Sequence, residues 1–380
     1  MSKILKMVGV ITIGAIALLL IAAILFVNLS PQFGKAPAKE QKKEYSQLEN
    51  FQDGKFINQH HSPMNMDFVK LFKDMTKKSP NRNPEEDIPV ERIDSVHIEN
   101  LSKDTSRLIW FGHSTFLLLI DGKKILIDPM LSQKPSPVSF LGTTRYSKNL
   151  PISAEKLPFI DAVILSHDHY DHLDYESIQQ LKEKVGRFFT PLGVGNHLME
   201  WGVDKERISE LNWWNNVDFG TIKLTFTPAR HFSGRGIFDR QKTLWGSWVI
   251  EGKKDKIFFS GDSGYDTHFK KIGEEFGPFD IALMECGQYN ENWKHLHMMP
   301  QETALASIDL KAKLFMPIHW GGFTLAFHDW TDPAERVLKK ADELNIAVTT
   351  PKIGEPVTIG SSTFPKEKWW LYYINSDVTD

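Results

Sequence analysis

Hydrophobic and polar positions divide the chain into three stretches. Met7 to Val27 contains no charged residue and is apolar at nearly every position, and about 20 such residues suffice to cross a bilayer as a helix. The pattern predicts a membrane anchor over residues 1–29. A cleaved signal peptide is the rival reading, because Lys3 and Lys6 form a basic leader. Against it, the run exceeds the usual apolar segment of such peptides, and Phe26-Val27-Asn28 lacks a small-residue cleavage pattern. Residues 30–96 are polar and lysine-rich, punctuated by Pro31, Gly34, Pro37, Pro63, Pro80, Pro84 and Pro89, which predicts a tether and an irregular lead-in. Within it, Phe68, Val69, Leu71, Phe72 and Met75 place an apolar stripe on a short helix over Met66–Lys77, expected to pack onto the domain that follows.

Residues 97–380 read as that domain, its regular elements starting near Arg107. Apolar runs predict strands over Leu108–Phe111, Phe116–Ile120 and Ile125–Asp128, the last two joined by a hairpin at Asp121-Gly122. Further strands are predicted over Ile160–Leu165, Ile222–Thr227, Leu244–Ile250, Ile257–Ser260, Ile281–Glu285 and Lys313–Ile318. Helical spacing predicts helices over Tyr175–Lys184, Gln301–Leu310 and Pro333–Leu344. Strands interleaved with helices argue for an α/β layered domain with mostly buried sheets.

Composition narrows the function. The 380 residues carry a formal charge of −3, so no nucleic-acid surface is expected. A single cysteine, Cys286, excludes an intramolecular disulfide framework. Lys3 and Lys6 flank the apolar run directly, which favours the amino end inside and the domain on the extracytoplasmic side of a cell membrane. The oligomeric state is not legible.

Chemistry concentrates after the strand predicted at Ile160. Ser166-His167-Asp168-His169-Tyr170-Asp171-His172-Leu173-Asp174 packs three histidines and three carboxylates into eight positions from His167 to Asp174. Crowding imidazoles and carboxylates is costly unless a cation organises them, and a mixed nitrogen and oxygen donor set suits Zn²⁺ or a related transition metal. Three later strands each lead into another potential ligand: His231 in Pro228-Ala-Arg-His, Asp262 in Gly261-Asp-Ser-Gly, and His319 in Pro317-Ile-His-Trp-Gly. Singly these are ordinary turn residues; together with the cluster they complete a two-metal site. Two serine motifs do not compete. Gly112-His-Ser-Thr-Phe116 lacks the second glycine of a nucleophile elbow, and no histidine segment suited to a serine protease precedes Gly261-Asp-Ser-Gly264.

On these residues the chain resembles the metallo-β-lactamase fold superfamily, and more closely its branch of N-acyl-phosphatidylethanolamine-hydrolysing phospholipases D and their bacterial relatives. The matching segments are Trp110-Phe-Gly-His-Ser-Thr, Ile127-Asp-Pro, the histidine cluster, Thr227-Pro-Ala-Arg-His231, Leu244-Trp-Gly-Ser-Trp248, Phe258-Phe-Ser-Gly-Asp-Ser-Gly-Tyr265 and Ile318-His-Trp-Gly. The resemblance covers roughly Arg107 to Thr358 and leaves out the amino-terminal run. It implies a four-layer αββα sandwich with the site along the sheet edges. It further implies that His167, His169 and His231 hold one Zn²⁺, that Asp171, His172 and His319 hold a second, and that Asp262 bridges them; Mn²⁺ or Fe²⁺ are alternatives. Tyr170 and His297 match positions that contact phospholipid, and Arg235 is a candidate phosphate partner or a loop-stabilising residue. Asp128 and His113 are expected behind the ligands, orienting them.

The expectation that follows is a membrane-anchored dinuclear zinc hydrolase acting on a lipid or lipid-like phosphodiester. The nucleophile would be a hydroxide shared by the metals, with Asp171 and Asp262 as the catalytic carboxylates. A lactonase or carboxylic-ester hydrolase of the same fold is the alternative, and a non-catalytic metal-binding scaffold a third reading.

Overall fold

The computed structural model describes residues 2–63, 67–77, 79, 81–100, 104–138 and 142–374. Met66 and Pro80, which entered the reading of the lead-in, lie outside the described residues. Two mixed sheets face each other. One contains seven strands in the order Pro356–Thr358, Arg107–Trp110, Phe116–Ile120, Lys123–Ile127, Ile160–Ile164, Val185–Pro191 and Ile208–Leu211. The other has six: Phe315–Ile318, Ile281–Glu285, Lys256–Phe259, Ser247–Glu251, Ile222–Thr227 and Asn216–Phe219.

Strand alternation explains why several of the central strands read as apolar runs. Side chains on a strand point to opposite faces. Leu108, Trp110, Phe116, Leu118, Ile125 and Ile127 enter the core between the sheets. Their neighbours Ile109, Phe111, Leu117, Leu119 and Leu126 enter a second core shared with the helix Tyr175–Leu181. The other sheet repeats the pattern, with Ile257, Phe259, Ile281 and Leu283 facing inward while Phe258, Ala282 and Met284 pack outward beneath the helices His268–Glu275, Pro300–Asp309 and Asp332–Leu344. Both faces of both sheets are buried, which is the αββα sandwich.

Turn chemistry sets the register. Asp121 and Gly122 both take positive φ (50° and 75°), the two-residue turn that matches strand twist, and Ile120 pairs with Lys123 across it. The helix Tyr175–Leu181 starts where Asp174 accepts a hydrogen bond from Ser177 N at 3.0 Å. The third carboxylate of the histidine cluster is therefore a helix cap.

Two expectations about the lead-in are corrected. Residues 30–96 do not hang as a free tether: Tyr45, Phe51, Phe56 and Ile88 are buried in the core between the sheets, because four scattered apolar side chains suffice to tie an irregular segment down. The helix within it, Phe68–Thr76, does not bury its stripe; Phe68, Val69, Phe72 and Met75 are exposed. Its attachment is polar instead, through Asn292 and Asn290. The amino-terminal helix Ser2–Leu29 is long and apolar enough to cross a membrane and is not buried in the rest of the chain.

Leu118 is fully buried between the sheets. Leu118→Ala should lower the unfolding free energy by about 2–5 kcal/mol, as read by denaturant titration of the full chain in detergent. An unchanged midpoint would contradict the two-faced packing.

Candidate metal centre

Strand polarity gathers the site. Ile222–Thr227 and Lys256–Phe259 are each antiparallel to Ser247–Glu251, and Lys256–Phe259 is parallel to Ile281–Glu285, which is parallel to Phe315–Ile318. The carboxyl ends of all four share one edge, delivering His231, Asp262, Glu285 and His319. In the facing sheet Lys123–Ile127 and Ile160–Ile164 are parallel, so Asp128 and the cluster His167–His172 emerge together. Backbone bonds between His113 and the segment His319–Trp320 (His113 N to Trp320 O, 3.2 Å; His319 N to His113 O, 3.0 Å) tie the two edges. Asp128, His113 and His319 all adopt positive φ (41°, 56° and 65°), a strained conformation that persists only where its surroundings over-determine it.

The sequence-predicted ligands meet in two groups. His167, His169, His231 and Asp262 offer atoms within 4.8 Å of one another, as do Asp171, His172 and His319 together with His113, a residue expected behind the ligands. Asp262 lies between them: its Oδ2 is 3.7 Å from Nε2 of His167 and of His231, and its Oδ1 is 3.2 Å from His172 Nε2 and His319 Nδ1.

Hydrogen bonds behind the ligands aim them. Asp128 accepts from His172 Nδ1 (2.7 Å), from Ser166 Oγ (2.5 Å) and from Ser166 N (2.7 Å). With its proton given to Asp128, the Ser166 hydroxyl accepts from His167 Nδ1 at 2.9 Å. His231 Nδ1 donates to the carbonyl of Leu296 at 2.9 Å. Each of these rings therefore turns its Nε2 to the site, bare in His167 and His231. His167 Nε2 and His231 Nε2 lie 2.9 and 3.2 Å from His169 Nδ1, lone pairs converging with no proton to share between the first and last. His172 Nε2 and Asp262 Oδ1 have no hydrogen-bond partner among the described residues, although both are buried. An orphaned buried donor set of imidazole and carboxylate is what a divalent cation satisfies, and the residues present fit two of them.

Electrostatics agree. Burial pushes His167, His169, His231 and His319 below the usual imidazole range, keeping them neutral, as ligands must be. Burial opposes the charge of Asp262, but the imidazoles around it, the charged His172 foremost, outweigh burial and hold the carboxyl well below its usual range. His172 is the exception among the rings: burial disfavours its charge, yet Asp262 and Asp171 raise its pKa well above the ordinary value, so cation binding must displace its proton.

The remaining candidates separate. His297 lines the cleft of about 220 Å³ beside Asp262, together with Phe232, Trp293, Leu296 and Leu325. Its ring stacks on His319 at 5.4 Å, and its Nδ1 bonds Glu285 Oε1 at 2.9 Å. Arg235 is corrected as a phosphate partner. Its guanidinium is buried, donating to the carbonyls of Asp168 and Leu173 (both 2.6 Å) and of Gln32 (2.8 and 3.1 Å). It packs 4.0 Å over the Tyr170 ring, so its donors serve the loop. Tyr170, whose hydroxyl donates to Arg235 O, lines a neighbouring cavity with Phe26 and Gln32. His113 Nε2 bonds Asp171 Oδ2 at 2.8 Å, placing it behind that carboxylate. Asp168 faces away, held by Gly234 N and Thr243 Oγ (2.7 and 2.6 Å).

Sequence reasoning missed Asn58 and Glu285. Asn58 brackets His231, donating to its carbonyl at 2.8 Å and accepting from its N–H at 3.1 Å; nothing in a polar lead-in marks it. Glu285 did carry a signal, a lone charge ending the apolar strand Ile281-Ala-Leu-Met. The Leu-Trp-Gly-Ser-Trp segment acquires its reason: Trp248 Nε1 donates to Leu165 O (2.9 Å) and Gly246 N to Ser166 O (3.0 Å), clamping the histidine cluster from the other sheet.

Asp128→Asn should weaken cation binding about 10–100-fold, measured by titrating the metal-stripped chain, because His172 loses the carboxylate that orients it. A pH test concerns His268, whose ring is buried beside Ser263 Oγ (3.2 Å) and whose pKa burial pushes down to about 3 from 6.5. The unfolded chain binds the extra proton throughout that interval, so stability falls as pH drops through it, by up to about 1.4 kcal/mol per pH unit from this one group. His268→Gln should flatten that slope in denaturant titrations from pH 6.5 to 4; an equal slope would remove His268 as a cause.

Known proteins resemble this chain. A family model described as a beta-lactamase superfamily domain matches residues 123–320. An uncharacterized protein of Mycobacterium tuberculosis is 38% identical over 338 residues, covering 85% of this chain and 88% of that protein. The N-acyl-phosphatidylethanolamine-hydrolyzing phospholipase D 1 of Caenorhabditis elegans is 32% identical over 297 residues, covering 72% of this chain and 82% of that one. The solved structure of a metallo hydrolase from the archaeon Ignicoccus hospitalis superposes with a TM-score of 0.50 at 23% identity, covering 68% of this chain and 100% of that one, a likeness of fold. With the edge cluster of buried histidines and carboxylates, these similarities make the chain a member of the metallo-β-lactamase fold superfamily and a metal-dependent hydrolase.

Proposed function

We propose that the chain is a membrane-anchored dinuclear zinc phosphodiesterase that cleaves a phospholipid, such as N-acylphosphatidylethanolamine, in the manner of a phospholipase D. The observation that carries the two-metal reading is Asp262, with one carboxylate oxygen toward each ligand group. His167, His169 and His231 would hold one Zn²⁺, and Asp171, His172 and His319 the other. The lipid reading draws on the similarity to the nematode phospholipase D, on the apolar helix at the amino end, and on the apolar wall that Phe232, Trp293, Leu296 and Leu325 give the cleft. The anchor reading takes that helix as a span, with the domain on the extracytoplasmic side.

When bound, two zinc ions supply Lewis acidity to the phosphoryl oxygens and lower the pKa of water at the site. The protein does the rest. His113 holds Asp171 by one oxygen, so that carboxylate has a single orientation. Glu285 occupies His297 Nδ1 and leaves Nε2 as the ring nitrogen open to substrate. Burial lowers the pKa of His297, but the hydrogen bond and charge of Glu285 outweigh it and raise the value. His297 is thus suited to donate a hydrogen bond to a phosphoryl oxygen or a proton to the leaving alcohol.

The test is a lipid panel resolved by product. The full chain loaded with zinc should release phosphatidate from N-acylphosphatidylethanolamine, and Asp262→Ala should cut the rate by at least about 100-fold. Release of diacylglycerol or fatty acid in place of phosphatidate overturns the phospholipase D assignment, and preferential opening of lactones selects the carboxylic-ester alternative.

A further inference from the structure

The helix Phe68–Thr76 turns Phe68, Val69, Phe72 and Met75 to solvent at 74, 67, 67 and 58% exposure, although a soluble helix buries such a stripe. Its polar contacts hold it in that pose. Asn292 accepts from Asp67 N and Asn290 donates to Asp74, each at 3.1 Å. Those asparagines belong to the loop of Trp293, a wall of the metal cleft. Lys70, Lys73 and Lys77 are exposed toward the other side of the helix.

Another wall of the cleft leads to a matching feature. After His231 and Phe232 the chain reaches Ile237 and Phe238, exposed at 59 and 76%. Adjacent Gly236 lies so close to the amino-terminal helix that a Cβ there would stand 3.3 Å from Val27 Cγ1. The same helix end reaches the cluster through edge contacts from Phe26 to Phe33 (5.6 Å) and from Phe33 to Tyr170 (6.1 Å). At about 1.5 Å per residue the run Met7–Val27 is about 31 Å long, matching a hydrocarbon core of about 30 Å. A span of that length ends at Val27, which puts Ile237 and Phe238 at the lipid boundary. An apolar stripe on one face with lysines toward the other is the composition of a helix lying in an anionic membrane surface.

We propose that the helix Phe68–Thr76 and the loop tip Ile237–Phe238 dock into an anionic lipid surface beside the span, so that the metal cleft between them opens onto lipid. This rests on the reading of the amino-terminal helix as a span, and deepens the proposed lipid substrate by giving the lipid its route of entry.

Spin labels on the full chain in phosphatidylcholine vesicles containing phosphatidylglycerol test it, since the native Cys286 is buried. Labels at Phe72→Cys and Phe238→Cys should meet oxygen several-fold more often than a water-soluble nickel chelate. The order should reverse at exposed Lys339→Cys on the outer helix Asp332–Leu344. Labels at 72 and 238 that meet the chelate as readily as the one at 339 overturn the docking. Label-to-label broadening that disappears on dilution with unlabelled chain also overturns it, making the face a contact between copies. A label at Leu19→Cys separates the readings: lipid-exposed there but aqueous at 72 and 238 refutes docking alone, and aqueous at all three refutes the anchor. As a second readout, Phe72→Asp with Phe238→Asp should cut turnover of vesicle lipid about tenfold while leaving a soluble aryl phosphodiester unaffected. Equal loss on both substrates refutes the surface role. Absence of any phosphodiester turnover refutes the proposed function, while the labels still decide the docking.

Discussion

The carboxylate of Asp262 lies in a buried space ringed by imidazoles, three of which, His167, His172 and His231, have their other nitrogen already engaged. That arrangement sets the terms for everything around it. Neutral rings with converging lone pairs repel one another, and an orphaned carboxylate oxygen away from water is expensive. Only a cation makes such a site favourable, and the surrounding protein must hold the ligands in place against their repulsion. Asp128, Ser166 and the carbonyl of Leu296 fix one nitrogen of a ring each. The left-handed backbone at Asp128, His113 and His319 is the local strain that this positioning entails.

The αββα architecture supplies the rigidity. Because each sheet is buried on both faces, the strand ends cannot shift independently, and loops of a few residues carry the ligands from fixed starting points. The core between the sheets extends to the site itself: Trp320, next to His319, stacks on Trp369 at 5.6 Å and meets Trp370 edge-on. The Trp248 and Gly246 clamps across the sheets do the same for the histidine cluster. The generous tryptophan content, whose purpose composition alone does not reveal, is largely structural support of this kind.

The lead-in changes the picture of the chain's organisation. A segment that reads as a polar tether contributes core side chains and, through Asn58, grips a ligand loop. At its start, Gln32 and Pro31 accept from Arg235 and Trp201, so the end of the apolar helix is fastened to the loops of the metal cluster. The apolar helix and the site are fastened together, and the outward apolar stripe of Phe68–Thr76 shares that mounting through Asn290 and Asn292.

The metal chemistry and the strands at the centre of the sheets were legible in the sequence by itself. So many histidines and aspartates crowded into one short loop would repel or strand one another without a cation to share, and unbroken apolar runs such as Phe116–Ile120 and Ile281–Met284 read directly as strands because both of their faces are buried. Strands with mixed patterns, Ile208–Leu211, Asn216–Phe219 and Pro356–Thr358 among them, escaped, since an edge strand need not be apolar. Tertiary structure alone decided which polar residues touch. Arg235 sits four residues from a ligand, yet its donors are consumed by backbone carbonyls; Asn58 lies 173 positions from His231, yet brackets it. Hydrogen bonds are short-ranged and directional, so proximity along the chain carries no information about them until the fold has brought the partners together.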